Sequence, residues 1–198
     1  GSAAFRIVLT NPRHTESTMS LHTLCTPRPS VFAADRRATV LNLDTFLKGQ
    51  VNGAEFFEEN YFTNGMLTLV DRAFRHLGGA GAGSSVFLLS QAMGGGKTHS
   101  MIALGLLARD PELRKKVLFG GQNPAPNLGR CRVAGFNGRS TDAAGGIWGS
   151  LAEQLGKAEQ FARYVSPMPS APGPEAWKQL LGGNPLVLFL DELPPYLE

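Results

Sequence analysis

The stretch Ser90-Gln91-Ala92-Met93-Gly94-Gly95-Gly96-Lys97-Thr98 decides how the rest of the chain is read. Its end, Gly96-Lys97-Thr98, satisfies the pattern G-x-x-x-x-G-K-[ST] of a phosphate-binding loop, while Gln91 stands where that pattern has its first glycine. Three consecutive glycines leave the loop permissive and its backbone N–H groups unobstructed, so that they converge on phosphate oxygens. The helix that such a loop opens adds partial positive charge at its N-terminus. In this chemistry Lys97 brings an ammonium to the β- and γ-phosphates, and the Thr98 hydroxyl ligates Mg²⁺. The nucleotide-binding residues read from the stretch are Gln91, Gly94, Gly95, Gly96, Lys97 and Thr98.

The flanks carry the context that the motif requires. Val86-Phe87-Leu88-Leu89 is apolar without alternation and predicts a strand buried on both faces. A helix is predicted from near Lys97 through Met101, Ile102, Leu104 and Leu107. Asp110-Pro111-Glu112 then reads as the cap, first-turn proline and acidic first turn of another short helix. Upstream, helical spacing runs from Leu41 to Leu77, with a break at Asn60-Tyr61-Phe62, and Gly78 to Gly83 reads as a linker. Downstream, Val117-Leu118-Phe119 reads as a brief strand, the stretch from Gly120 to Gly129 as a loop, and Cys131 to Phe136 as a second strand turned by Asn137-Gly138. A longer helix is expected from Ile147 and Trp148 through Leu155 toward Phe161. A short one carries Trp177, Leu180 and Leu181 and is closed by Gly182-Gly183. Leu186 to Leu190 is the strongest strand. Strands alternating with helices imply βαβ units and a parallel sheet, hence an α/β fold.

That last strand ends in Asp191-Glu192. An Asp at the carboxyl end of a buried strand holds Mg²⁺, directly or through water, when a phosphate loop lies upstream. The neighbouring Glu orients and polarises an attacking water. Together the two motifs read as Walker A and Walker B of a P-loop NTPase, with Lys97 and Glu192 catalytic and Thr98 and Asp191 at the metal. A carboxylate pair at this place points to water as the acceptor, so hydrolysis is preferred to phosphate transfer by a small-molecule kinase. Weaker candidates are Asn137 and Arg139, which follow the second strand at the ligand-binding edge of such sheets. Asn60, Tyr61 and Phe62 are weighed as neighbours of an adenine and read first as core packing. Trp148 and Trp177 read as core aromatics.

Composition narrows the class further. With 42% apolar and 18% charged residues, the chain of 198 residues is globular in type. Nineteen basic against sixteen acidic residues, scattered along the chain, do not make a nucleic-acid stripe. Cys25 and Cys131 lack metal-ligand spacing and read as free thiols. No apolar run approaches the roughly 20 residues of a membrane helix, and residues 1–20 lack the apolar core of a secretory signal. A cytoplasmic location is expected. Gly1-Ser2 reads as a cloning scar, with Met19 a plausible native start.

Four stretches carry a resemblance. They are Glu59-Asn60-Tyr61-Phe62-Thr63-Asn64-Gly65-Met66, Ser90 through His99, Ile147-Trp148-Gly149 through Gln154-Leu155-Gly156, and Leu190-Asp191-Glu192-Leu193. In this order they resemble a family of large prokaryotic proteins labelled predicted AAA+ superfamily ATPases with a domain of unknown function. Gln91 belongs to that family's pattern, and the resemblance adds His99 to the nucleotide-binding residues. It implies ATP as substrate, Mg²⁺ as cofactor, and an AAA+-like parallel sheet flanked by helices. It also implies self-association and defence-system partners, since members are encoded in phage-defence islands; direct nucleic-acid contact is not supported by this segment. The expected organisation is an irregular segment over 1–35, of which 1–18 are vector or upstream sequence, a helical extension and linker over 36–83, and the N-terminal part of the ATPase core over 84–198. The family's proteins are much longer, and their Walker B strand is separated from the loop strand by a later strand. The expectation is therefore an incomplete core that binds nucleotide weakly and turns it over poorly. A nucleotide-dependent switch is the runner-up.

Overall fold

The computed structural model describes residues 26, 32, 41–90, 94–118, 123–139, 145–165 and 170–197. The chain divides into two compact units, Gly1–Val40 and Leu41–Glu198, and every element below belongs to the second. Gln91, Cys25 and nearly all of 1–35 lie outside the described residues.

Three helices open the unit, each started by a polar cap. Helix α1 (Leu43–Leu47) begins where the Asn42 side chain accepts from the Thr45 N–H at 2.8 Å. Helix α2 (Gly53–Glu59) is capped by Asn52 and α3 (Asn64–Leu77) by Thr63. Such caps satisfy N–H groups that a first helical turn leaves without partners. Helix α3 buries Met66, Val70, Ala73 and Phe74, the stripe its spacing predicts.

Helix α4 (Lys97–Arg109) is the centre of the core. Ser100 through Ala108 are all buried, so the helix is enclosed rather than amphipathic. It packs against α1, α2, α3, a short helix α5 (Pro111–Val117) and both strands. Strands β1 (Arg132–Asn137) and β2 (Leu186–Asp191) pair in parallel, with Val133 opposite Val187 and Asn137 opposite Asp191. Between them come α6 (Gly146–Gln154), α7 (Ala158–Phe161), a 3₁₀ turn (Ala162–Tyr164) and α8 (Pro174–Leu181); α9 (Pro194–Leu197) follows β2. A satellite cluster of Ala152, Phe161, Ala176 and Leu180 holds these connecting helices together. The architecture is α/β with a two-stranded parallel sheet.

The outer edge of β1 is closed by side chains. Gln154 reaches from α6 to Gly135, accepting from its N–H at 3.0 Å and donating to its carbonyl at 2.8 Å. Arg109 donates to the Val133 carbonyl at 3.5 Å. Both sites are backbone groups that a third strand would otherwise occupy.

Three local expectations are corrected. Val86-Phe87-Leu88-Leu89 is extended but joins no ladder among the described residues, and it is not buried on both faces. Val86 and Leu88 are 80% and 88% exposed, while Phe87 and Leu89 pack on the core. With no neighbouring strand, only the face turned toward α3 and α4 is covered. Val117 and Leu118 are not a strand: they end α5, where the Leu118 N–H bonds the Arg114 carbonyl. The long helix expected from Ile147 to Phe161 is two helices, interrupted at Gly156 (φ +67°). No helix among the described residues is long and apolar enough to cross a membrane.

Candidate functional site

The glycine loop enters α4 through left-handed backbone. Gly94 and Gly96 have φ of +79° and +80°, a region that costs other residues about 1 kcal/mol or more. Gly96 occupies the N-cap of α4 and contributes no side-chain cap. The first turn of α4 therefore has no side-chain cap, an arrangement open to an anion. Lys97 is the first helical residue, and Thr98 the second.

Thr98 and Asp191 meet across 93 positions of sequence. The Thr98 hydroxyl donates to Asp191 Oδ2 at 3.0 Å. Helix α4 carries the hydroxyl and β2 carries the carboxylate, and the packing of α4 on β2 sets the distance. Two hard oxygens converging beside the glycine loop are of the type that Mg²⁺ takes when it draws one or two ligands from protein and the rest from phosphate and water. Among the described residues no three His, Cys, Asp or Glu side chains gather into a metal cage.

Glu192 faces a different partner. Its backbone is left-handed at φ +49°, and Arg139 Nε donates to its Oε2 at 3.1 Å. Both side chains remain substantially exposed, at 63% for Arg139 and 45% for Glu192. The turn after β1 makes this possible. Gly138 donates its N–H to the Asp191 carbonyl at 2.8 Å, and a Cβ at Gly138 would collide with the Glu192 carbonyl. Asn137 Oδ1 accepts from the Arg139 N–H at 3.1 Å, and its Nδ2 donates to Asp44 on α1 at 3.0 Å.

The sequence-derived candidates thus fall into two groups. Gly94, Gly95, Gly96, Lys97, Thr98, Asp191 and Glu192 gather at the carboxyl end of the sheet together with Asn137 and Arg139. The His99 ring lies 6.0 Å from that of Phe56. Phe62 stacks on Phe57 at 5.4 Å within the core, while Tyr61 is 87% exposed. Trp148 and Trp177 pack edge to face at 5.5 Å and are each half-buried. The contact of Asp44 with Asn137 was not anticipated. A lone Asp in the first turn of a short helix reads as dipole chemistry, and nothing in its spacing signals a partner so far away.

Residues 47–125 match the DUF499 N-terminal domain family. The matched stretch runs from the end of α1 through the glycine loop and α4 to the segment after α5. The family carries a domain of unknown function, as the resemblance implied, and the match spans the glycine loop without reaching β2. No curated protein and no solved structure matches the chain.

Proposed function

We propose that the chain is the nucleotide-binding part of a P-loop ATPase of AAA+ type. The observation that carries this reading is the 3.0 Å hydrogen bond from Thr98 to Asp191, which joins the glycine loop to the acid ending β2. In the proposed reaction the loop N–H groups and Lys97 hold the β- and γ-phosphates. Thr98 and Asp191 would hold Mg²⁺, which would supply charge neutralisation at the phosphates. Glu192 orients the attacking water and accepts its proton, after its carboxylate exchanges Arg139 for that water. Lys97→Ala is expected to abolish nucleotide binding. Glu192→Gln is expected to keep binding and stop turnover, measured as phosphate release beside equilibrium titration. Turnover that survives Glu192→Gln removes Glu192 from the role of base.

The Arg139–Glu192 pair favours a second reading, a nucleotide-dependent switch with little turnover. A base already engaged by a guanidinium is idle until that contact breaks. Slow hydrolysis, with partner binding gated by ATP, would select this reading. The proposed setting is a cytoplasmic prokaryotic defence or nucleic-acid-processing complex. It is supported by the sequence resemblance alone.

A further inference from the structure

A cleft of about 230 Å³ opens beside the glycine loop, lined by Asn60, Tyr61, Met66, Leu69, Gly96 and His99. We infer that this cleft is the base subsite of the nucleotide, and that Asn60 makes it read adenine in preference to guanine. The inference rests on the phosphate-loop reading above and specifies what that loop's ligand carries.

Position is the first argument. Gly96, His99 and Ser100 line the cleft and recur at i, i+3 and i+4 on the first turn of α4. Thr98 lies about 200° around the helix from Ser100 and turns to Asp191 instead. The loop thus has a metal side and, on the other face of the same turn, a concave side. A triphosphate seated in the loop directs its terminal phosphate to the first and leaves the second for its nucleoside. The volume is below the roughly 300 Å³ at which pockets for drug-sized ligands begin, and suits one ring system rather than a whole nucleotide.

Chemistry is the second. Met66 and Leu69 give the cleft an apolar lining. Tyr61 presents its ring at the cleft while Phe62, the next residue, is spent in the core. An exposed aromatic beside an apolar slot is a stacking surface for a base.

Asn60 supplies the discrimination. Its Nδ2 donates to the Phe56 carbonyl at 2.8 Å at the end of α2. This fixes which way the amide faces and leaves Oδ1, an acceptor, with no donor among the described residues. Adenine carries an exocyclic amine where guanine carries a carbonyl oxygen. An unpaired acceptor bonds the first and repels the second, and such mismatches discriminate strongly.

The test is equilibrium titration of the 198-residue chain with ATP, GTP and inorganic triphosphate in Mg²⁺. ATP is expected to bind at least about tenfold more tightly than GTP. Asn60→Ala should weaken ATP by about tenfold and tighten GTP, closing the gap between them, while leaving triphosphate unchanged. Tyr61→Ala, at an exposed position that does not threaten folding, should weaken both nucleotides by about tenfold and spare triphosphate. Circular dichroism reports whether Asn60→Ala folds; if it does not, the wild-type preference and Tyr61→Ala decide. Equal affinity for ATP and GTP overturns the role of Asn60, and indifference of both nucleotides to Tyr61→Ala overturns the cleft as base subsite. In either case the phosphate-loop reading stands, provided that Lys97→Ala still abolishes binding. If neither nucleotide nor triphosphate binds the wild-type chain, the phosphate-loop reading falls and the base subsite falls with it.

Discussion

The two ends of α4 are built to opposite rules. At the N-terminal end, Gly96 offers no cap and the backbone is left-handed. At the C-terminal end, side chains tie down backbone groups from several elements. Arg109 donates to the Phe46 carbonyl at 2.9 Å and lies 4.3 Å over the Phe46 ring. Asp110 caps α5 by accepting from the Glu112 and Leu113 N–H groups. Arg114, fully buried, donates to the Leu107 carbonyl at 3.0 Å and to the carbonyls of Leu128 and Gly129, with its guanidinium 5.0 Å over Phe74. The Cys131 N–H bonds the Ala108 carbonyl at 2.9 Å. The contrast teaches a division of labour: side chains hold one end of the helix, while the other begins on left-handed glycine backbone with no side-chain cap.

The largest way to break this contrast is at the anchored end. Arg114→Ala removes the donor from the buried Leu107 carbonyl and from the part-buried Leu128 and Gly129 carbonyls, and is expected to cost about 3 kcal/mol of stability by denaturant titration. A cost under about 1 kcal/mol would mean that the anchor is dispensable. Burial holds the Arg114 pKa below its ordinary value and raises that of the Cys131 thiol. At the open end, Thr98→Val keeps the side-chain shape and removes the hydroxyl. It is expected to weaken Mg²⁺-dependent nucleotide binding by about tenfold, with little change in the melting temperature of the ligand-free chain. Equal binding with and without Mg²⁺ in the wild type would remove Thr98 and Asp191 from the metal. The smallest effect is expected at Arg139→Ala, below about 0.5 kcal/mol of stability, because its ion pair with Glu192 is exposed to solvent. A larger loss would make the pair a structural clamp.

Much of the unit can be read along the chain, and the reasons are local. Asp110-Pro111 carries its own cap chemistry, and Leu186 to Leu190 has the apolar density of a buried strand. The glycine loop joins a helix start to a composition that few other turns require. What could not be read depends on contacts between distant residues. Val86 to Leu89 has the composition of a fully buried strand, but burial needs a neighbour that composition does not name. Arg114 sits beside Lys115 and Lys116 and looks like one more solvated charge, yet α5 directs it inward onto three carbonyls. Arg139 and Glu192 meet only because β1 and β2 pair in a register that brings Asn137 level with Asp191. The role of Gln154 is equally hidden, since its two partners belong to a single glycine on another element.

That grip of Gln154 gives the sheet a polarity of growth. A strand approaching β1 from another molecule finds the donor and acceptor of Gly135 already taken, and the Val133 carbonyl engaged by Arg109. Cross-molecule zippering, the hazard that any uncovered strand border carries, is refused on this flank. Among the described residues, the sheet can recruit a further strand only along β2, the border that ends in Asp191. Among the described residues, an addition to this sheet therefore arrives on the border that carries Asp191.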